Sequence, residues 1–246
     1  ISMRFNGATV SQLRTAQGAL DKRSFDDLLD KLLGNIGNDG AVIERTLRFE
    51  DDGRTAVVTG TVIESYYWQW KEQRYQTDLN PPVENFEFEA DRSRPAWADV
   101  PVKVSHPFYQ VTNIKLLLPE LDGAFEIRGS DRLDKAIAGY QFRHHYIMDG
   151  RSLSGEMMVR SAATELPASE LPEVRSEIAK AKADKARLLL PGSVTSKLLS
   201  IRRNANSAGA KKLRSAYAVS IAEADQDQLQ PYRNRASFLA GIGDYA

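Results

Sequence analysis

Phe25, Leu28, Leu29, Leu32, Leu33 and Ile36 recur at three- and four-residue spacing, which places them on one face of a helix over residues 24–36. Ser24 stands where an N-cap is wanted, and Gly34 or Gly37 can end the helix. A helix apolar on one side needs a surface to pack on, and the next stretch is patterned to supply one. Ile43, Leu47 and Phe49 alternate with Val42, Glu44, Thr46 and Arg48, Asp51-Asp52-Gly53 has turn chemistry, and a β-branched run over 55–63 returns. A second hairpin is written the same way. Tyr140, Phe142, His144, Tyr146 and Met148 alternate up to Asp149-Gly150, and Leu153, Gly155, Met157 and Val159 alternate back. Between the hairpins, residues 85–90 and 111–118 read as shorter strands, separated by Asn80-Pro81-Pro82 and by the proline-bearing stretch 94–101. Short strands joined by turns predict an antiparallel β-sandwich.

After Pro167 the period becomes helical. Ser169 can cap a helix reaching about Leu190, where Pro191-Gly192 closes it; 194–201 and 210–224 read as further helices. The chain therefore divides into a β-rich sandwich domain over 1–166, with an amphipathic helix at 24–36, and a helical region over 167–246. In the last fifteen residues, 232–246, Asn234, Ala236, Gly243, Asp244 and Tyr245 hold the spacing of a tetratricopeptide repeat. That spacing has a small residue where two helices touch, a Gly-Asp turn, and the aromatic that opens the return helix. The resemblance implies a repeat truncated after its first helix, with 206–246 starting an array whose concave side binds a protein or peptide. A repeat that stops halfway, and a chain that opens on Ile1, are expected of a piece of a longer protein. The expected class is α+β: an antiparallel β-sandwich with packed helices, followed by a helical region of the tetratricopeptide type.

Composition narrows the chemistry. At 246 residues the chain has length for a large core. Thirty-three basic residues balance thirty-three acidic ones, so global charge gives no argument for nucleic acid, and no nucleic-acid partner is expected. Cysteine is absent, which excludes thiol catalysis, disulfides and Cys-ligated zinc within this chain. No apolar run approaches the roughly 20 residues that cross a bilayer.

A second resemblance covers about a third of the chain. His106-Pro107-Phe108-Tyr109, the strand ending Leu116-Leu117-Leu118-Pro119, the hairpin from Ala138-Gly139-Tyr140 through Val159, and Leu166-Pro167 before a helix containing Leu171-Pro172 resemble the sandwich that follows the catalytic core in bacterial exported proteins of the transglutaminase-like superfamily. Such proteins often continue into tetratricopeptide repeats. The resemblance implies a periplasmic or cell-envelope location, with a cytoplasmic one as the alternative, and it implies that other domains of the same parent are partners. It brings no active site, because the superfamily's Cys-His-Asp chemistry needs a thiolate that this chain lacks.

Other constellations have structural explanations. His144 and His145 are neighbours on a strand, so their rings leave opposite faces and one metal cannot take both; His106 lies elsewhere. No metal, cofactor or catalytic residue is expected. Asp51-Asp52 belongs to a hairpin turn and Asp26-Asp27 to the start of a helix. Gly53, Gly123 and Gly150 occur singly, with no phosphate loop around them. Tyr66, Trp68 and Trp70 share one face of an alternating strand, either as a stacking platform for sugar rings or a partner, or as cover for the core. Arg175, Lys180, Lys182, Lys185, Arg187, Lys197, Arg202, Arg203, Lys211, Lys212 and Arg214 stand against only Glu177 and Asp184, as a solvated helical face or a stripe for an acidic partner.

The expected function is that of a non-catalytic structural and interaction module of a multidomain bacterial envelope protein, supporting a transglutaminase-like or cysteine-peptidase-like core and presenting helical repeats for protein binding. The residues expected to meet partners are Tyr66, Trp68, Trp70, Tyr232 and Asn234. Two alternatives stand beside it: a carbohydrate or cell-wall binding module using exposed aromatics, and a cytosolic adaptor with a basic helical face.

Overall fold

A computed structural model describes residues 1–34, 41–63, 68–79, 81–84, 86–88, 94–104, 108–194, 206, 208–223 and 229–241. Strand β1 (Ser2–Gly7) leads into helices α1 (Ala8–Ala19) and α2 (Lys22–Gly34), followed by the hairpin β2 (Ala41–Phe49) and β3 (Thr55–Ile63). Next come β4 (Gln69–Lys71), β5 (Arg74–Leu79), β6 (Val102–Lys103), β7 (Phe108–Leu117), β8 (Glu126–Arg128) and β9 (Arg132–Ile137). The second long hairpin is β10 (Tyr140–Asp149) and β11 (Ser152–Ser161), after which come β12 (Glu165–Leu166), α3 (Leu171–Ala183) and β13 (Ala186–Leu189). Helices α4 (Ala208–Glu223) and α5 (Gln230–Gly241) close the described chain.

The fold is α+β. A seven-stranded antiparallel sheet runs in the order β2-β3-β1-β7-β11-β10-β9, a four-stranded sheet in the order β4-β5-β13-β8, and β12 pairs with β6. One face of the large sheet is buried along its whole width. Over β1, β2 and β3 it is covered by α1 and α2, through Met3, Phe5, Val10, Leu13, Leu29, Leu33, Ala56 and Val58. Over β9 and the near end of β10 it is covered by α3, with Leu133, Ile137 and Phe142 meeting Val174, Ile178 and Ala181. Farther along, Tyr146, Leu153 and Met157 meet Leu79, Ala186, Leu188 and Leu190 of the smaller sheet. Each fully buried Leu, Val or Phe contributes on the order of 1.5–3 kcal/mol, so these three clusters dominate the stability. The opposite face looks outward and carries charged and polar pairs: Arg143 with Glu156, Arg4 with Glu50, and Thr46 with Thr59.

The hairpins at 41–63 and 140–161 stand where their alternation predicts, and the strand expected at 111–118 spans Phe108–Leu117. Elsewhere the structure corrects the expectations. Ile43 does not share the buried face with Leu47 and Phe49: a bulge between Val42 and Glu44 turns it out to 41% exposure and brings Val42 to the core. The helix expected from Ser24 starts at Lys22, and its cap is Asp21, whose carboxylate accepts the Ser24 N–H at 2.9 Å. Of the strand expected at 85–90, residues 86–88 are irregular, with Phe86 and Phe88 packed on the α3 cluster. The helix expected from Ser169 to Leu190 ends at Ala183, and Ala186–Leu189 is a strand between β5 and β8. Leu188 and Leu189 are both 0% exposed, and a short apolar run buried on two faces cannot be told from a helix by periodicity. Helix α3 thus packs on β9 and β10, and β13 on β5 and β8. The helix expected at 194–201 falls outside the described residues beyond Val194.

The first two elements are among those that had no place in the sequence expectation. Met3 and Phe5 alternate with Ser2, Arg4 and Asn6, and Val10 and Leu13 share a helical face. Gly7, at φ 78°, makes the reversal between them that a side chain would resist. Together they are β1, which pairs with both β3 and β7, and α1. Helix α2 lies close on β3 at Gly60: a Cβ there would stand 2.8 Å from the Glu44 carbonyl oxygen and closer still to Leu33 Cδ1. Arg45 of β2 reaches Asp26 and Asp30 one turn apart on α2, holding helix and strand in register.

Candidate functional site

The residues expected to meet partners fall in two separate places. Trp68 precedes the short edge strand β4 and packs, partly buried, against the cluster between the two sheets. Trp70 lies on β4 opposite Tyr75, is 51% exposed, and makes an edge-on contact with that ring at 4.8 Å and 66°. The row therefore splits, with one tryptophan in the core margin and the other in solvent; Tyr66 lies outside the described residues. The turn beside Trp70 is charged. Arg128 donates to Glu72 at 2.9 Å, and Arg74 donates to Glu126 at 3.1 Å and from Nε to the Leu190 carbonyl at 2.9 Å. Glu72 and Gln73 both sit at positive φ, 51° and 61°, so the β4–β5 hairpin closes through two residues that adopt this conformation reluctantly.

Tyr232 and Asn234 are on α5. Tyr232 is 50% exposed and Asn234 half-buried. Phe238 and Leu239 of that helix pack on Ala210, Leu213 and Tyr217 of α4, with the Tyr217 and Phe238 rings 5.5 Å apart. Ala236, expected where two helices press together, is exposed, as are Val219 and Leu229. Gly243, Asp244 and Tyr245 lie outside the described residues. Helix α4 also touches β2, the edge of the large sheet.

The adjacent histidines diverge. His144 is 0% exposed, on the buried face of β10; His145 is on the outward face with Arg132 Nη2 3.5 Å from its Nε2. The His144 Nε2–H donates to the Ser130 carbonyl at 3.0 Å, which leaves Nδ1 as an unprotonated acceptor, and that buried atom has no partner among the described residues. Burial holds its pKa below the ordinary histidine value, against the opposing pull of the Ser130 carbonyl. Tyr146, 5.1 Å away ring to ring, donates its hydroxyl to Met157 Sδ at 3.6 Å, and burial raises its pKa. His106 lies outside the described residues. Among the described residues no group of three or more His, Asp or Glu could hold a metal.

The carboxylate pairs are tied into the backbone and into ion pairs. Asp52 accepts the N–H groups of Arg54 and Thr55 at 2.8 and 3.0 Å and the Thr55 hydroxyl at 2.9 Å, which lowers its pKa. Asp26 sits a turn inside α2, not at its start, and its pKa is lowered by Lys22 at 2.7 Å and by Arg45. The basic stretch is not one helical stripe. Arg175, Lys180 and Lys182 are on α3, Lys211, Lys212 and Arg214 on α4, and 197–203 lie outside the described residues. Lys185 pairs with Glu84 at 2.7 Å and Arg187 with Asp78 at 3.4 Å. No helix among the described residues is long and apolar enough to cross a membrane. The outward face of the large sheet and the exposure of Leu117, at 75%, and Ile147, at 53%, went unseen in the sequence; their alternation with buried neighbours was the available signal. Comparison with protein-family models, curated proteins and solved structures gives no match.

Proposed function

We propose that the chain is a structural and protein-interaction module of a larger bacterial envelope protein of the transglutaminase-like kind. In this reading its β-sandwich supports a catalytic core, and α4 and α5 begin a tetratricopeptide-type array that presents a binding groove. The observation that carries this reading is the state of the two C-terminal helices. Among the described residues their shared cluster holds Ala210, Leu213, Tyr217 and Phe238, with Ala216 also buried, while Val219, Leu229 and Tyr232 stay more than half or about half exposed. Helices of an array leave such a surface because each repeat needs its neighbour to finish the core. The buried His144 supports the non-catalytic part: it is sealed from solvent and bonded to a main-chain carbonyl, where no substrate reaches it.

The test has two arms. Affinity capture from a bacterial envelope extract should retain a protein that is lost with Leu229→Ser/Tyr232→Ser and kept with Trp70→Ala. Assays on amide and ester substrates should show no turnover. Activity that survives repurification and disappears with His144→Asn would overturn the proposal.

A second reading, carbohydrate binding, draws on the 51% exposure of Trp70 beside Tyr75. It requires the opposite pattern: retention on insoluble polysaccharide, lost with Trp70→Ala.

A further inference from the structure

His144 stands at a joint in the core. On its own strand, the same-face neighbour on one side is Phe142, in the cluster covered by α3, and on the other side is Tyr146, in the cluster covered by the smaller sheet. Its cross-strand neighbours divide the same way, Leu133 of β9 into the first cluster and Met157 of β11 into the second. His144 is 0% exposed, with its Nε2–H spent on the Ser130 carbonyl and its Nδ1 without a partner among the described residues.

We infer that His144 is an acid-sensitive joint: protonation at Nδ1 places a cation and an unmatched N–H between the two halves of the core, and the edge strand β9 with the 129–131 loop and α3 releases from β10. The neutral ring fits because Nδ1 needs no donor to remain tolerable, whereas a buried imidazolium must find one or leave. The charged groups around it come from each element it meets. Asp131 before β9 and Asp184 at the end of α3 favour the cation, His145 on β10 opposes it, and β11 presents Leu153, Gly155, Met157, Val159 and Ser161 on this face, none of them charged. The two aspartates reduce the cost of the charge without supplying an acceptor, and burial outweighs them. The edge strand yields first because β9 has a neighbour on one side only, while β10 is held by β11 along ten residue pairs.

The sign follows from proton uptake. Between the unfolded-state value of about 6.5 and the lowered native value, the open form binds a proton that the closed form refuses, so opening becomes about tenfold easier per pH unit as pH falls. Above that window the effect vanishes.

The test is amide hydrogen exchange on the 246-residue chain from pH 7.5 to 4.5, corrected for intrinsic exchange rates, with the imidazole ¹⁵N shifts followed in the same samples. Opening constants for β9 and β10 should rise about tenfold per pH unit below 6.5, over the range in which the native His144 ring still reads as neutral, while β1 and β3 hold theirs. His145→Gln and His106→Gln should keep the dependence and His144→Gln should lose it. Should His144→Gln fail to fold, the site-resolved pattern in the unaltered chain still decides. Opening constants flat with pH, a rise shared equally by β1 and β3, or loss of the effect in His145→Gln would each overturn the inference.

Discussion

Two glycines in regular structure lead to opposite predictions. At Gly60 a methyl group would press on the Glu44 carbonyl and on Leu33, itself 0% exposed, so Gly60→Ala should lower stability by about 1–3 kcal/mol. At Gly18, inside α1, nothing lies within 4 Å, and Gly18→Ala should raise stability by roughly 0.5–1 kcal/mol. Denaturant midpoints at unchanged slope measure both. Neither was legible from the chain alone, because a glycine within a β-branched run gives no sign of what crosses above it. The histidine pair was legible in part. Alternation required that His144 and His145 part company, and only the packing of α3 and the smaller sheet decides which ring is sealed.

At the scale of elements, starts and stops were harder to read than faces. The apolar period of α2 begins at Phe25, so the preceding polar turn Lys22-Arg23-Ser24 carries no periodic signal and the capping Asp21 lies three residues ahead of the cap that the period suggests. Asp21→Ala should lower the melting temperature more than Ser24→Ala does. The Asp21 carboxyl lies below its ordinary pKa because it accepts the Ser24 N–H and then the Ser24 hydroxyl. Its contribution is therefore present above the unfolded carboxylate value and fades as pH falls through the lowered native one. The β4–β5 hairpin had no turn signal at all, since Glu72-Gln73 stands where Asn-Gly is favoured. Replacing the pair by Asn-Gly should add about 1 kcal/mol, read by thermal unfolding. The Arg128–Glu72 bridge it removes joins two half-exposed side chains and counts for little.

For the whole molecule, the change of period at Pro167 marked a change of element type but not of core. β13 belongs to the smaller sheet, so Leu188→Ala should destabilise by about 2–5 kcal/mol while both sheets still unfold in one transition, followed by circular dichroism and tryptophan fluorescence. The C-terminal helices answer to a separate cluster. Phe238→Ala should expose the amides of α4 and α5 to exchange and leave those of β7 and β11 protected. The α+β class, both long hairpins and the helical end could be read from alternation and spacing. Strand β1 could not, because Met3 and Phe5 alone supply its buried face and two residues make no pattern.

That strand joins what would otherwise be two sheets. β1 carries β3 on one side and β7 on the other, so without residues 2–7 the large sheet becomes a pair and a quartet, each with a raw edge. Its place is a slot six residues long, open to any strand that presents Met and Phe at alternate positions. A chain beginning at Ala8 should therefore associate with itself through those edges, and a synthetic peptide of residues 1–7 added in trans should restore the monomer by strand complementation. Sedimentation with and without the peptide, and with a Met3→Asp/Phe5→Asp peptide that should fail, reads the outcome directly.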